Sequence, residues 1–129
     1  MHKVLMHRIE HPLRGATVTG RPLDLLRGTL DVLILKTLSD GPLHGYGVSR
    51  SIRDRTRESL SIEEGALYPA LRRLEKRGLV TAEWGKTETG REAKFYSLTP
   101  SGVSELQEGV RDWHRYVEAM AAVLGRPSA

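Results

Sequence analysis

Four cations crowd the stretch SIEEGALYPALRRLEKRG, Ser61 to Gly78: Arg72, Arg73, Lys76 and Arg77. A guanidinium presents a planar fork of donors that fits a phosphate or the O6/N7 edge of guanine, and an ammonium neutralises phosphate as a point charge. Arg72, Arg73 and Lys76 are therefore candidate nucleic-acid contacts, Arg72 lying closest to the half of the helix that would enter a groove. The competing reading is a solvated helix face. Tyr68 carries a hydroxyl able to donate to phosphate and a ring able to join a core. Gly65 and Ala66 offer close backbone approach rather than side-chain readout. A second basic group follows in Lys86, Arg91 and Lys94, and each phosphate it neutralised would steepen the salt dependence of binding. Glu63 and Glu64 oppose this chemistry unless they meet cytosine amino groups or turn away from the duplex.

Other chemistries are poorly supplied. The 129 residues contain no cysteine, which excludes disulfides, zinc ribbons and thiol catalysis. No histidine stands in context with a nucleophile or acid, and no glycine loop is built to cradle phosphate, so an enzyme is not expected. His7 and His11 have a metal-compatible spacing but fall in a segment read as a tail, and neither a metal nor another cofactor is expected. No apolar run approaches the length of a bilayer crossing, and MHKVLMHRIEHPLRG lacks the apolar stretch of a secretory signal. The expectation is a soluble cytoplasmic protein without a membrane partner.

The formal net charge of +4 is modest, and its distribution says more. Residues 1–24 hold four Lys/Arg against two Asp/Glu, residues 25–98 thirteen against ten, and residues 99–129 three against four. With Pro12, Gly15, Gly20 and Pro22, the first 24 residues read as a flexible basic arm. Residues 25–98 then read as a binding module, and residues 99–129 as a segment with a different role. The length suits one domain with a modest core and help from a partner subunit.

The module must position its cations. Leu26, Leu30, Leu33, Ile34 and Leu38 recur at helical spacing, with Val32 and Leu35 on the other side, so a first helix is buried on more than one face and ends at Gly41-Pro42. A second helix is expected over Gly45–Arg55, with Val48 and Ile52 inward and Arg50, Arg53 and Arg55 outward; His44 reads as a turn residue before it. In the third helix Leu67, Leu71 and Leu74 form the buried stripe, and Ser61 with Glu64 reads as a capping box. Gly78 fits the left-handed residue past its end, after Lys76 and Arg77 complement the dipole. Pro69 lies beyond the first turn, removes one backbone bond and presses on the Gly65 carbonyl, which predicts a bend or a loosened turn. Two extended segments follow, Leu79–Trp84 and Glu92–Leu98, with Val80, Ala82 and Trp84 sharing one face. Between them GKTETGR, Gly85 to Arg91, makes a polar tip. Helices followed by such a hairpin describe a mostly α fold with a small β-hairpin, a winged helix-turn-helix whose third helix enters the major groove while the wing meets the backbone.

Three stretches carry a family resemblance: GTLDVLILKTLSDGPLHGYGVSRSI, EEGALYPALRRLEKRGLVTAEWG and REAKFYSLTPSG. In this order and spacing they resemble the PadR family of transcriptional regulators, over roughly Leu25 to Leu124, and most of all its short branch with a tryptophan on the last helix. The resemblance implies a winged-helix homodimer that binds double-stranded promoter DNA, usually as a repressor, and in many members is released by a small-molecule effector. It also implies that aromatic residues on the last helix, here Trp113, can line an effector cavity. The sequence departs from the family at Ala66, where a hydroxyl is frequent, and at Glu92 and Ser97, where arginine is frequent, which implies a weaker non-specific grip. Without the resemblance, the residues reach only a DNA-binding module, and a winged helix used as a protein-interaction adapter is the alternative.

Residues 99–129 argue for dimerisation on their own. Thr99-Pro100 is a suitable cap and first-turn pair. After it Val103, Leu106, Val110, Trp113, Val117, Met120 and Leu124 are separated by 3, 4, 3, 4, 3 and 4, a heptad seam. So narrow a stripe on so long a helix is expected to be buried against a second chain, with Trp113 first a seam residue; packing on its own module is the intramolecular alternative. A twofold dimer would offer two recognition helices to half-sites about 34 Å apart.

Overall fold

The first helix, α1 (Arg27–Leu38), sits at the centre because it has apolar residues on more than one side: Leu30, Ile34, Leu35 and Leu38 are buried, and Val32 and Leu33 pack beside them. Its buried polar group, the Thr37 hydroxyl, donates to the Leu33 carbonyl at 2.7 Å. The computed structural model describes residues 16–18, 21–22 and 27–128. Gly41, at φ 141°, turns the chain into β3 (Leu43–His44). His44 Nδ1 then accepts the Gly47 N–H at 3.0 Å and caps α2 (Gly45–Arg55), which buries Val48 and Ile52 as its spacing predicts.

The turn after α2 is strained. Arg57 and Glu58 are consecutive non-glycine residues with left-handed backbones, φ 52° and 65°. Thr56 holds the turn, its hydroxyl donating to the Ile52 carbonyl at 2.8 Å and accepting the Leu60 N–H at 3.1 Å. A left-handed L-residue costs about 1–2 kcal/mol and glycine adopts it freely. Replacing Arg57 by glycine is therefore expected to raise stability by about 0.5–1 kcal/mol, read as a higher urea midpoint with unchanged slope.

The chain then forms β4 (Ser61–Ile62) and α3 (Glu64–Lys76). Ser61 does not cap this helix. It is extended and pairs with Thr17, in a sheet of order β2-β1-β4 whose other strands are β1 (Ala16–Val18) and β2 (Arg21–Pro22). The N-cap is Glu63, which makes no side-chain cap bond, so the expected capping box is absent. These two strands are the described part of residues 1–24; His7 and His11 lie outside the described residues. Leu67, Ala70, Leu71 and Leu74 are buried, and truncating such a leucine typically costs about 2–5 kcal/mol, which is what carries α3 past Pro69. Its end is closed as Gly78 predicts: at φ 75° the Gly78 N–H donates to the Glu75 carbonyl at 3.0 Å and the Leu79 N–H to the Leu74 carbonyl at 2.9 Å.

The hairpin pairs β5 (Val80–Lys86) with β6 (Glu92–Leu98) in register, and β3 adds to the other side of β6, giving the order β3-β6-β5. The strand β5 is longer than expected and takes in Gly85 and Lys86. Gly85 lies under the Phe95 ring, where a Cβ would be 3.1 Å from it. The tip is closed by the Thr87 N–H donating to the Arg91 carbonyl at 2.8 Å, with Gly90 at φ 85°.

The last helix, α4 (Pro100–Leu124), has 25 residues and is about 37 Å long at 1.5 Å per residue. Thr99 caps it by accepting the Gly102 N–H at 3.0 Å. The heptad seam is divided. Leu106, 8% exposed, belongs to the protein's own core, and Val110 packs against that core. Leu106 is therefore taken up by its own chain rather than left for a partner, and Val110 is partly covered in the same way. Val103, Trp113, Val117, Met120 and Leu124 are exposed, and Tyr116 and Val123 join them. Among the described residues no helix is long and apolar enough to cross a membrane.

Candidate nucleic-acid interface

The leucine face of α3 turns the opposite face outward. Gly65, Tyr68, Arg72 and Lys76 fall at separations of 3, 4 and 4, so they lie along one side of the helix, and all four are exposed. A Cβ at Gly65 would meet nothing within 4 Å, leaving that surface open to close approach. Ala66 is different from what the sequence suggests, since it packs partly against the core. Tyr68 satisfies both of its readings: its ring covers Gly45, where a Cβ would lie 2.7 Å away, and it remains partly exposed.

Arg73 leaves this face. Its guanidinium reaches back to Asp31 on α1 at 2.8 Å, in a pair that is mostly shielded on the aspartate side. The pair ties α3 to α1. Replacing Arg73 by alanine is expected to lower stability by about 1 kcal/mol in a urea titration, while any nucleic-acid affinity stays within about threefold of the parent.

The wing is less basic than its cations suggest. Lys94 reaches Glu75 on α3 at 3.9 Å, and Lys86 stands opposite Glu92 in the strand register. Arg91 is exposed beside the tip. Trp84, on the same face of β5 as Val80 and Ala82, is 70% exposed and faces Lys94 across the strands. It makes the wing surface partly apolar and aromatic.

Tyr96, buried on β6, lies where wing and α3 meet. Burial pushes its phenol above the usual tyrosine range; Glu75 and Tyr68 add to the rise and Arg72 opposes it. A raised folded-state value means that the folded protein keeps its proton longer than the unfolded chain does. The stabilising contribution is therefore present below about pH 10 and lost as pH rises through the folded value. Stability is expected to fall on alkaline titration above pH 10, and Tyr96→Phe is expected to flatten that fall.

Two further residues were not among the candidate contacts, although Arg50 was expected to face outward. At the start of α2 the exposed Tyr46 stacks on the His44 ring at 6.4 Å, and the Arg50 guanidinium lies 5.9 Å from the Tyr46 centroid. The signal was present as a tyrosine four residues before an arginine on a helix that starts beside Tyr68. On α4, Trp113 and Tyr116 form a tilted aromatic pair with centroids 5.7 Å apart. Among the described residues no group of three or more His, Cys, Asp or Glu side chains is placed to hold a metal.

Three helices, the third backed by leucines and open along Gly65–Lys76, followed by a paired hairpin, make this a winged helix-turn-helix protein. Residues 34–108 match the family described as transcriptional regulator PadR-like. A transcriptional regulator of Mycobacterium tuberculosis is 32% identical over 102 residues, covering 79% of this chain and 89% of that protein. The negative transcriptional regulator PadR of Bacillus subtilis is 32% identical over 79 residues, 61% of this chain and 43% of the longer relative. The structure of a transcriptional regulator from Clostridium thermocellum superposes with a TM-score of 0.69 at 33% identity, over 75% of this chain and 94% of that one. The chain belongs to the PadR-like family of transcriptional regulators.

Proposed function

We propose that the chain regulates transcription by binding double-stranded promoter DNA as a homodimer, with α3 in the major groove and the wing along the backbone. The observation that carries this reading is the exposed Gly65–Tyr68–Arg72–Lys76 side of α3, which has cations at its C-terminal half and open backbone at its N-terminal half. Arg72 and Lys76 take base edges or phosphates; Tyr68, Tyr46 and Arg50 take phosphates at the flank; Lys86 and Lys94 grip weakly because acids stand beside them, and the exposed Arg91 meets the backbone at the tip. Trp84 packs on deoxyribose at the wing. The exposed distal half of α4 meets a second copy, and the tilted Trp113–Tyr116 pair offers aromatic surface to a small-molecule effector whose binding releases the DNA. Repression is the mode favoured by the likeness to a negative regulator. Genome-wide selection of bound DNA fragments tests the reading: one shared motif with two related halves supports it, and recovery of unrelated fragments in proportion to their abundance refutes it.

A further inference from the structure

The helix α4 is held to its own domain at two places. At the first, the Thr99 hydroxyl donates to the Gly78 carbonyl at 2.7 Å and the Thr99 N–H to the Leu79 carbonyl at 3.1 Å. Gly102, one turn on, is buried with no room for a side chain, since a Cβ there would stand 2.1 Å from the Leu79 carbonyl oxygen. That neighbour is backbone fixed by the closing turn of α3, so it cannot give. Seven residues later, on nearly the same side of the helix, a Cβ on Gly109 would stand 2.5 Å from Cγ2 of Val32. Val32 lies mid-way along α1, where valine keeps about 90% of its population in one χ1 rotamer, so its methyl does not swing aside cheaply. Thus α4 lies flush on α1 only because residue 109 has no side chain.

The consequence is carried down the helix. Beyond Val110 the exposed stripe begins, with Trp113, Tyr116, Val117, Met120 and Leu124. The angle at which this half leaves the domain decides where a second copy stands. The helix α3 is kept on α1 by its buried leucines and the Arg73–Asp31 pair at 2.8 Å, while the exposed Arg77–Glu105 pair at 3.3 Å, three residues from Gly102, leaves the distal part of α4 free to tilt. The winged helix therefore stays one body, and α4 leaves it at the angle that the contact at Gly109 allows.

We propose that Gly109 is a positioning residue that determines specificity: by letting α4 rest on Val32, it fixes the separation of the two α3 helices and hence the half-site spacing the dimer accepts. This rests on the homodimer reading above. A methyl group at residue 109 must lift α4 by about 1 Å to reach ordinary contact distance. With Gly102 as fulcrum about 10 Å away along the helix, the lift tilts α4 by about 6° and displaces its far end by about 3 Å. DNA advances about 3.4 Å per base pair, so the displacement corresponds to about one base pair of spacing.

The absence of cysteine makes the test direct. Thr89→Cys, at the exposed wing tip, places one nitroxide on each chain, and the distance between the two labels in the dimer is read by pulsed electron paramagnetic resonance without DNA. Gly109→Ala in this background is expected to keep the dimer and its helical spectrum while moving the mean distance by about 3–6 Å, twice the single-chain lever at most. Adding Val32→Ala, which removes the opposing methyls, returns the distance to the parent's. On selected operator duplexes with one base pair added or removed between halves, the preferred spacing moves with Gly109→Ala and moves back in the double variant. An unchanged distance and spacing preference in Gly109→Ala, or a shift that Val32→Ala fails to reverse, overturns the proposal. Should Gly109→Ala be too unstable to dimerise, Val32→Ile presses on the same contact with the glycine retained and carries the same two expectations. A parent protein that gives no inter-label distance at all refutes the homodimer reading first, before any change at residue 109, and the proposal falls with it.

Discussion

Replacing Arg72 and Lys76 together by alanine is expected to lower affinity for the selected operator by about 100-fold or more at 0.15 M salt, a loss of about 2.7 kcal/mol. Both side chains are exposed, and among the described residues neither makes an ion pair that would be lost with it. A base-edge or phosphate contact contributes about 1–3 kcal/mol, so two of them account for the figure. The slope of log affinity against log salt should fall by about one for each cation that meets a phosphate. Alanine is the best helix former and Leu67, Leu71 and Leu74 remain in place, so melting should be unaffected. This contrast separates Arg72 from Arg73, one residue away, whose loss costs stability instead. Electrophoretic or fluorescence titration with matched salt series gives the answer, and equal affinity of the double variant and the parent would remove α3 from the interface.

The second large effect is at the other end of the molecule. Val117→Glu with Met120→Glu is expected to turn a dimer into a monomer at micromolar concentration, because a twofold interface would then bury four carboxylates that nothing pairs. Sedimentation velocity reads the change. The winged helix should survive, since the core draws on α4 no further than Val110. Operator affinity should drop by about 100-fold or more as two linked half-site contacts become one. A variant that remains dimeric would mean that the exposed stripe from Trp113 to Leu124 meets something else.

Much of this arrangement was written in local chemistry. The bounds of α2 followed from Val48, Ile52 and the turn at His44, and the end of α3 from Gly78, because caps and short-range periodicity are decided within a few residues. The start of α3 was not legible. Ser61 and Glu64 have the spacing of a capping box, yet Ser61 is claimed by strand pairing with Thr17, a long-range contact that no local pattern announces. Trp84 shows a related limit: alternation tells which face a residue takes, not how far along that face the helices reach. Arg73 looked like its neighbours until Asp31 was brought opposite it by the packing of α3 on α1. The heptad seam is continuous in sequence from Val103 to Leu124, but Leu106 and Val110 are used by the domain itself and the glycine beside them sets the helix against Val32. Two-residue strands such as Leu43–His44 are too short to carry any period at all.

Two winged helices joined through their last helices are proposed to read one face of a duplex. Hydroxyl-radical footprinting on the selected operator measures this most directly. The account predicts two protected patches on the same face, with centres about one helical turn, or roughly 34 Å, apart, both disappearing together when Arg72 and Lys76 are replaced. A single protected patch, or protection spread evenly along the duplex and indifferent to that replacement, would contradict it.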